Sequence, residues 1–269
     1  MVVEVPLNKV FVQGTTYRTH PRTCYVVQAI GTDGSTATKL VIDGKHTGEI
    51  VADVAPIRKT SSYNIGPLDI SKLPYVIPPD TDFYVDGPSG AKVRCIGKIL
   101  LLAPGEVVPE SLLARFREQP SKHLKYVTGS YAFGTDVAWS AGQEVTLLTL
   151  TPSTIEKYLF NGLVAVKIEN ATINDGDVVV QFYLDNNPVE NLYGTNINPG
   201  IDLLALPHRD AVATNEVVFT LKDFPINLEG DHTLKVTAKN VKGSDITPPS
   251  GTSITLTLFM VAEYSKGGS

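Results

Sequence analysis

Five histidines, His20, His46, His123, His208 and His232, are the residues best suited to act as metal ligands or general bases. No two of them stand at His-x-His or His-Glu-x-x-His spacing, the spacings that put two ring nitrogens on one face of a strand or helix. Each therefore reads as a surface histidine. His20 and His46 fall in the same half of the chain, and spacing alone leaves their convergence open. Ser89 lies in Gly87-Pro88-Ser89-Gly90, a hairpin turn that lacks the strand-to-helix elbow a Gly-x-Ser-x-Gly nucleophile needs. Neither a Gly-x-x-x-x-Gly-Lys-Ser/Thr loop nor a Gly-x-Gly-x-x-Gly after a strand is found, so backbone cradling of phosphates has no candidate.

Carboxylates need separate treatment, because a glycosidase requires two facing acids whose separation in sequence is arbitrary. Asn174-Asp175-Gly176-Asp177 and Asp185-Asn186-Asn187 are the oxygen-rich loops with the chemistry for a calcium ion. The same residues tolerate left-handed backbone, and ordinary turns explain them. Tyr131, Phe133 and Trp139 alternate with small or polar residues and are expected to face a core from one strand. The competing use is a sugar-stacking platform, which needs aromatic faces left exposed. The thiols Cys24 and Cys95 cannot make a disulfide framework and are expected as two packed thiols rather than one bridge. No catalytic, cofactor-binding or metal-ligating residue is assigned, and the chain is expected to be no enzyme.

Composition narrows the partners. With 42% hydrophobic and 19% charged residues and a formal charge of -5, the chain suits a folded globule and offers no footprint for phosphates. Its most basic stretch, Arg115, Arg117, Lys122, His123 and Lys125, is spread around Glu110 and Glu118 and reads as a solvated helix and loop. Nucleic acid is not expected as a partner. The segment Met1 to Pro6 lacks the basic and apolar regions of a secretory signal. The longest apolar block, Ile99 to Ala103, is far short of the ~18 residues needed to span a bilayer.

Period-two alternation dominates the elements that would position any site. Ile254, Leu256, Leu258, Met260 and Ala262 share one strand face, as do Leu234, Val236 and Ala238. Asp33-Gly34, Asp43-Gly44, Asp86 to Gly90 and Asp175-Gly176 punctuate the strand-like runs at intervals typical of sandwiches or barrels. Two short helices are expected. One runs from Pro109 to Glu118 with Leu112, Leu113 and Phe116 on one stripe; the other opens at the Ser153-Thr154-Ile155-Glu156 capping box and reaches Tyr158. The Pro/Gly-rich segment Ala103 to Pro109 marks a boundary. The expected organisation is a sandwich over 7–105, a linker with the short helix over 106–125, a jelly-roll-like sandwich over 126–264 and a flexible tail over 265–269. No fixed-period repeat relates the halves, so any duplication would be structural only. The long segment from Asn186 to Asp210, with Asn191, Asn196, Asn198, Pro199, Pro207 and His208, is expected to hold a strand near Ile201 to Leu206 or to serve as a recognition loop.

An all-β chain of two tandem antiparallel sandwiches, with the runs Phe83 to Leu102, Val178 to Leu184, Val217 to Leu221, Thr233 to Val241 and Ile254 to Tyr264, resembles the jelly-roll structural proteins of viruses. The likeness is to capsid, penton and spike components of tailless icosahedral viruses of bacteria and archaea. It implies a non-enzymatic virion component that works through contacts with copies of itself or other structural subunits. No functional residue is carried over from that family. The alternative is a carbohydrate-binding, adhesin or filament module at an extracellular surface, with a glycan as partner. On the structural reading, Val2 to Val5 form a short strand cut by Pro6, which either lies on a neighbouring subunit or pairs within its own domain.

Overall fold

Turn chemistry and β-branched alternation produce strands nearly throughout the computed structural model, which describes residues 2–52, 55–59, 65–135, 137–169, 173–189, 200–206 and 226–264. The chain divides into two compact units, the first running to Lys125 and the second beginning at Tyr126. Among the described residues no helix is long and apolar enough to cross a membrane.

The first unit contains β1 (Val3–Val12), β2 (Thr16–Arg18), β3 (Thr23–Thr32), β4 (Thr38–Ile42), β5 (Lys45–Ile50), β6 (Leu68–Asp69), β7 (Tyr75–Ile77), β8 (Asp82–Asp86) and β9 (Lys92–Leu101). One sheet runs β1-β9-β3, with β6 and β7 both on the far side of β3; the other runs β2-β8-β4-β5. With β6 and β7 counted as one position, the strands in chain order lie 1-8-3-6 in one sheet and 2-7-4-5 in the other. The Asp43-Gly44 turn joins β4 to β5 with φ of 51° and 70°, the doubly left-handed turn that matches strand twist. Between the sheets Phe11 meets Tyr17 and Phe83 edge to face, each at 4.9 Å between ring centroids, and Tyr25 packs on Phe83.

The helix expected in the linker is α1 (Glu110–Glu118), and its apolar stripe is fully used. Leu112, Leu113 and Phe116 pack on Cys24, Val26, Val76, Leu100, Leu102 and Val108, so α1 covers part of the outer face of the first unit's β1-β9-β3 sheet. Two polar side chains fasten it. Gln119 is buried, and its amide exchanges both hydrogen bonds with Val76: Oε1 accepts from the backbone N at 3.0 Å, and Nε2 donates to the carbonyl at 3.1 Å. That is the pairing an antiparallel neighbour would give, so one side chain closes the open edge of β7. Arg115 donates from Nε to the Pro74 carbonyl and from Nη1 to that of Lys122, each at 3.0 Å. Just beyond, Leu124 pairs in parallel with Gly48 of β5. Gly48 has φ +122°, and a Cβ there would stand 2.4 Å from the Leu124 carbonyl oxygen, so no other residue fits that approach.

The second unit is built from β10 (Lys122–Ala132, from Tyr126 on), β11 (Glu144–Leu150), β12 (Glu156–Glu169), β13 (Val178–Leu184), β14 (Asn187–Pro188), β15 (Ile201–Asp202), β16 (Ile226–Leu228), β17 (Leu234–Asn240) and β18 (Ser253–Tyr264). Its sheets run β10-β18-β12-β16 and β11-β17-β13, with β14 and β15 both on β13. Since β14 is only the return of a tight hairpin, the described strands again lie in the order 1-8-3-6 and 2-7-4-5. Both units therefore carry the double-sheet winding of a jelly roll. The duplication expected at most in structure is found there.

Trp139, Phe160 and Phe182 are buried in one core with the inward row of β18, and Phe160 stacks on Phe182 at 5.7 Å. Two sequence expectations fail in this unit. The Ser153 to Glu156 capping box forms, with Ser153 Oγ donating to Glu156 Oε2 at 3.0 Å, but it closes a turn into β12 and starts no helix. Trp139 stands outside any strand, in a connection held by an isolated bridge to Ile246. The strand expected near Ile201 to Leu206 is present as β15, two residues long and followed by one 3-10 turn. The run Val217 to Leu221, the tail 265–269 and the loop residues Asn191, Asn196, Asn198, Pro199, Pro207 and His208 lie outside the described residues.

Candidate functional site

Among the described residues, several side chains suited to chemistry are engaged in local structure. His20 Nδ1 accepts from the Arg22 backbone N at 3.3 Å in an exposed turn, and His46 sits on β5 opposite Val41. His123 Nδ1 bonds the Pro120 carbonyl at 3.2 Å, and burial holds its pKa below the ordinary histidine value. His232 meets Asp185. Among the described residues no three His, Cys, Asp or Glu side chains gather as they would around a metal ion.

The two calcium-type loops show why. Asp177 Oδ2 accepts from both the backbone N and Nδ2 of Asn174 at 3.1 Å, and Asp202 caps Leu204 N at 2.8 Å and also takes Gly176 N. Asp185 and Asn186 have φ of 50° and 65°, the turn that reverses β13 into β14, and Asp185 Oδ1 accepts from Thr233 N at 2.8 Å. The carboxylates stitch turns together through N–H groups.

Phe133 and Trp139 are buried, and half-buried Tyr131 packs edge to face on Phe133, so the sugar platform offered by the sequence is part of a core. Cys24 and Cys95 are both free and buried. They cannot bridge, because Cys24 pairs with Leu100 on the α1 side of the sheet, while Cys95 pairs with Lys9 on the face that carries Leu7 and Phe11. Burial pushes each thiol up to about 12, which removes thiolate chemistry near neutral pH.

What remains is surface, and sheet edges in particular. β1 runs unbroken through Pro6, pairing from Val3 opposite Leu101 to Val12 opposite Lys92. The N-terminal strand thus belongs to its own first unit, and that unit begins before the expected residue 7. With ten residues, β1 is a long edge strand. Gln13 N donates to the Ala91 carbonyl, which sets the parity: odd residues of β1 bond β9, and Glu4, Pro6, Asn8, Val10 and Val12 turn their backbone groups outward. Pro6 has no N–H to offer, and Val12 N is taken by the Tyr17 hydroxyl at 3.0 Å. The edge is blunted at the middle and at one end. Pro6→Thr restores an outward donor without disturbing the β9 ladder. We expect the variant to keep its melting temperature while gaining concentration-dependent, strand-mediated association in light scattering; unchanged scattering would refute the parity assignment.

No family model matches the chain, and no curated protein matches it. Among solved structures it is similar to the major capsid protein P2 of bacteriophage PM2, at 13% identity, full coverage of both chains and a TM-score of 0.32. A capsid model of the virus PBCV-1 matches at 10% identity over 99% of this chain and 95% of that one, with a TM-score of 0.30. Viral structures recur in this comparison. A conserved protein of unknown function from Pseudomonas aeruginosa also matches, at 10% identity, 96% and 78% coverage and a TM-score of 0.18. Superpositions at these scores establish no common fold with any of them. The winding of each unit is established by its own strand order.

Proposed function

We propose that the chain is a non-enzymatic structural subunit of a virion, a capsid, penton or spike component acting through contacts with copies of itself or with other structural subunits. One observation carries this: two units in tandem, each wound 1-8-3-6 and 2-7-4-5, the winding used by viral capsid domains, lectins and cupins. Among those uses, the sugar-binding one loses its sequence candidates, because the aromatic faces of Phe133 and Trp139 are turned into a core. Among the described residues, side chains such as Asp177, Asp185, Cys24 and Cys95 serve turns and packing, which supports a role exercised by surfaces. Its location would then be the particle itself; an adhesin or filament role would place it at a cell's outer surface.

Native mass tests the proposal. Analytical ultracentrifugation of the full chain across a range of concentration and salt is expected to show species heavier than the 29.0 kDa monomer, and negative-stain electron micrographs to show regular assemblies. A single 29.0 kDa species at every concentration and salt would overturn it.

A further inference from the structure

We infer that the Asp185–His232 pair is a proton-dependent clasp that holds together the turns at one end of the second sandwich. Three turns meet there. His232 Nδ1 lies 2.6 Å from Asp185 Oδ2. Asp185 N donates to the Thr233 carbonyl at 2.9 Å, and the same carboxylate accepts from Thr233 N. The β16–β17 turn is fixed in addition to the β11–β12 turn, through Thr151 Oγ1 to Thr233 Oγ1 at 2.8 Å and Asp231 N to the Pro152 carbonyl at 3.4 Å. Gly230 allows the close fit, since a Cβ there would stand 2.8 Å from Thr154 Cα. Asp231, with φ 69°, holds the turn in a left-handed conformation at a cost that the surrounding bonds must offset. Residues 229–233 are therefore the knot of this end, and the imidazole is its one group that changes charge near neutrality.

The charged groups facing His232 are mostly acidic. Asp185 is in contact, Glu229 and Asp231 flank it on its own turn, and Lys157 is drawn off into an ion pair with Glu229. The hydrogen bond to Asp185, then its charge, raise the His232 pKa above 6.5. Thr233 N and then His232 hold the Asp185 carboxyl below 3.8. The signs follow from linkage. The histidine's contribution is complete below 6.5 and is lost as pH rises through its higher folded value; the aspartate's is complete above 3.8 and is lost only as pH falls through its lower folded value. The clasp is fully made between those limits. Above them the Thr233 N–H still holds Asp185, so the end loosens without coming apart.

Two-dimensional NMR of the full chain tests this. The His232 ring is expected to titrate above 6.5 and to move back toward it in Asp185→Asn. Protection of the Thr233 amide, corrected for intrinsic exchange, should fall about threefold from about pH 5.5 to about pH 8, the scale of one exposed ion pair. His232→Gln, which keeps a donor and never titrates, should abolish that pH response. A ring midpoint at or below 6.5, or the same response in His232→Gln, would overturn the inference.

Discussion

Phe160→Ala is expected to destabilise the second unit by about 3–5 kcal/mol, the usual cost of deleting a buried aromatic ring. Phe160 is fully buried, comes from β12 and stacks on Phe182 of β13, so its ring is shared between the two sheets. Alanine leaves a cavity whose walls are strands held in register on both sides, Phe160 itself standing opposite Met260 of β18 and Ile226 of β16. Such walls collapse poorly, which places the loss toward the upper part of the range. The sole tryptophan, Trp139, lies in the same core with its Nε1 donating to the Gln143 carbonyl at 3.0 Å, so its fluorescence in a urea titration reports the loss directly. Phe160→Leu, which refills most of the volume, should cost clearly less. A Trp139 transition unmoved by Phe160→Ala would mean that the two rings do not share a core.

Gln119→Leu should cost about 2–4 kcal/mol, because it strands two buried backbone groups at once. The change preserves size and apolar packing, yet Val76 N and O both lose their partner at the edge of β7. Gln119→Glu separates the two halves: a carboxylate still accepts from Val76 N but cannot donate to Val76 O. Burying that charge with one oxygen against the Val76 carbonyl should make it at least as destabilising as Gln119→Leu. Hydrogen exchange checks this locally. The Val76 amide is expected to lose protection in both variants; equal protection in all three proteins would refute the edge-closing role.

Strands with strong local punctuation were legible in the residues themselves. Val178 to Leu184 is β13 with the expected bounds, and Asp43-Gly44 makes the turn its type demands. Sequence and structure part where a local signal has two physical outcomes. The Ser153 to Glu156 box satisfies the same donors in a turn as at a helix start, and the 14-residue strand that follows was obscured by it. Pro6 looks like a strand breaker, but at an outward position of an edge strand the missing N–H costs no ladder bond. The helix stripe was visible, whereas its attachment to the first unit depends on Gln119 reaching Val76, 43 residues away. Strand order was not readable at all, since it is set by pairings such as Val3 with Leu101 that no window of sequence contains. As for a site, the absence of metal or nucleophile spacing was plain in the residues. The blunting of the β1 edge was not, because it follows from which side of a ladder each residue turns to.

In each unit the opening strand lies beside the closing one, β1 against β9 and β10 against β18. The chain thus comes into and leaves each module at neighbouring points. A module with that property can be copied in tandem, excised or circularly permuted without rethreading its interior, which offers a simple genetic route from one such barrel to a chain carrying two.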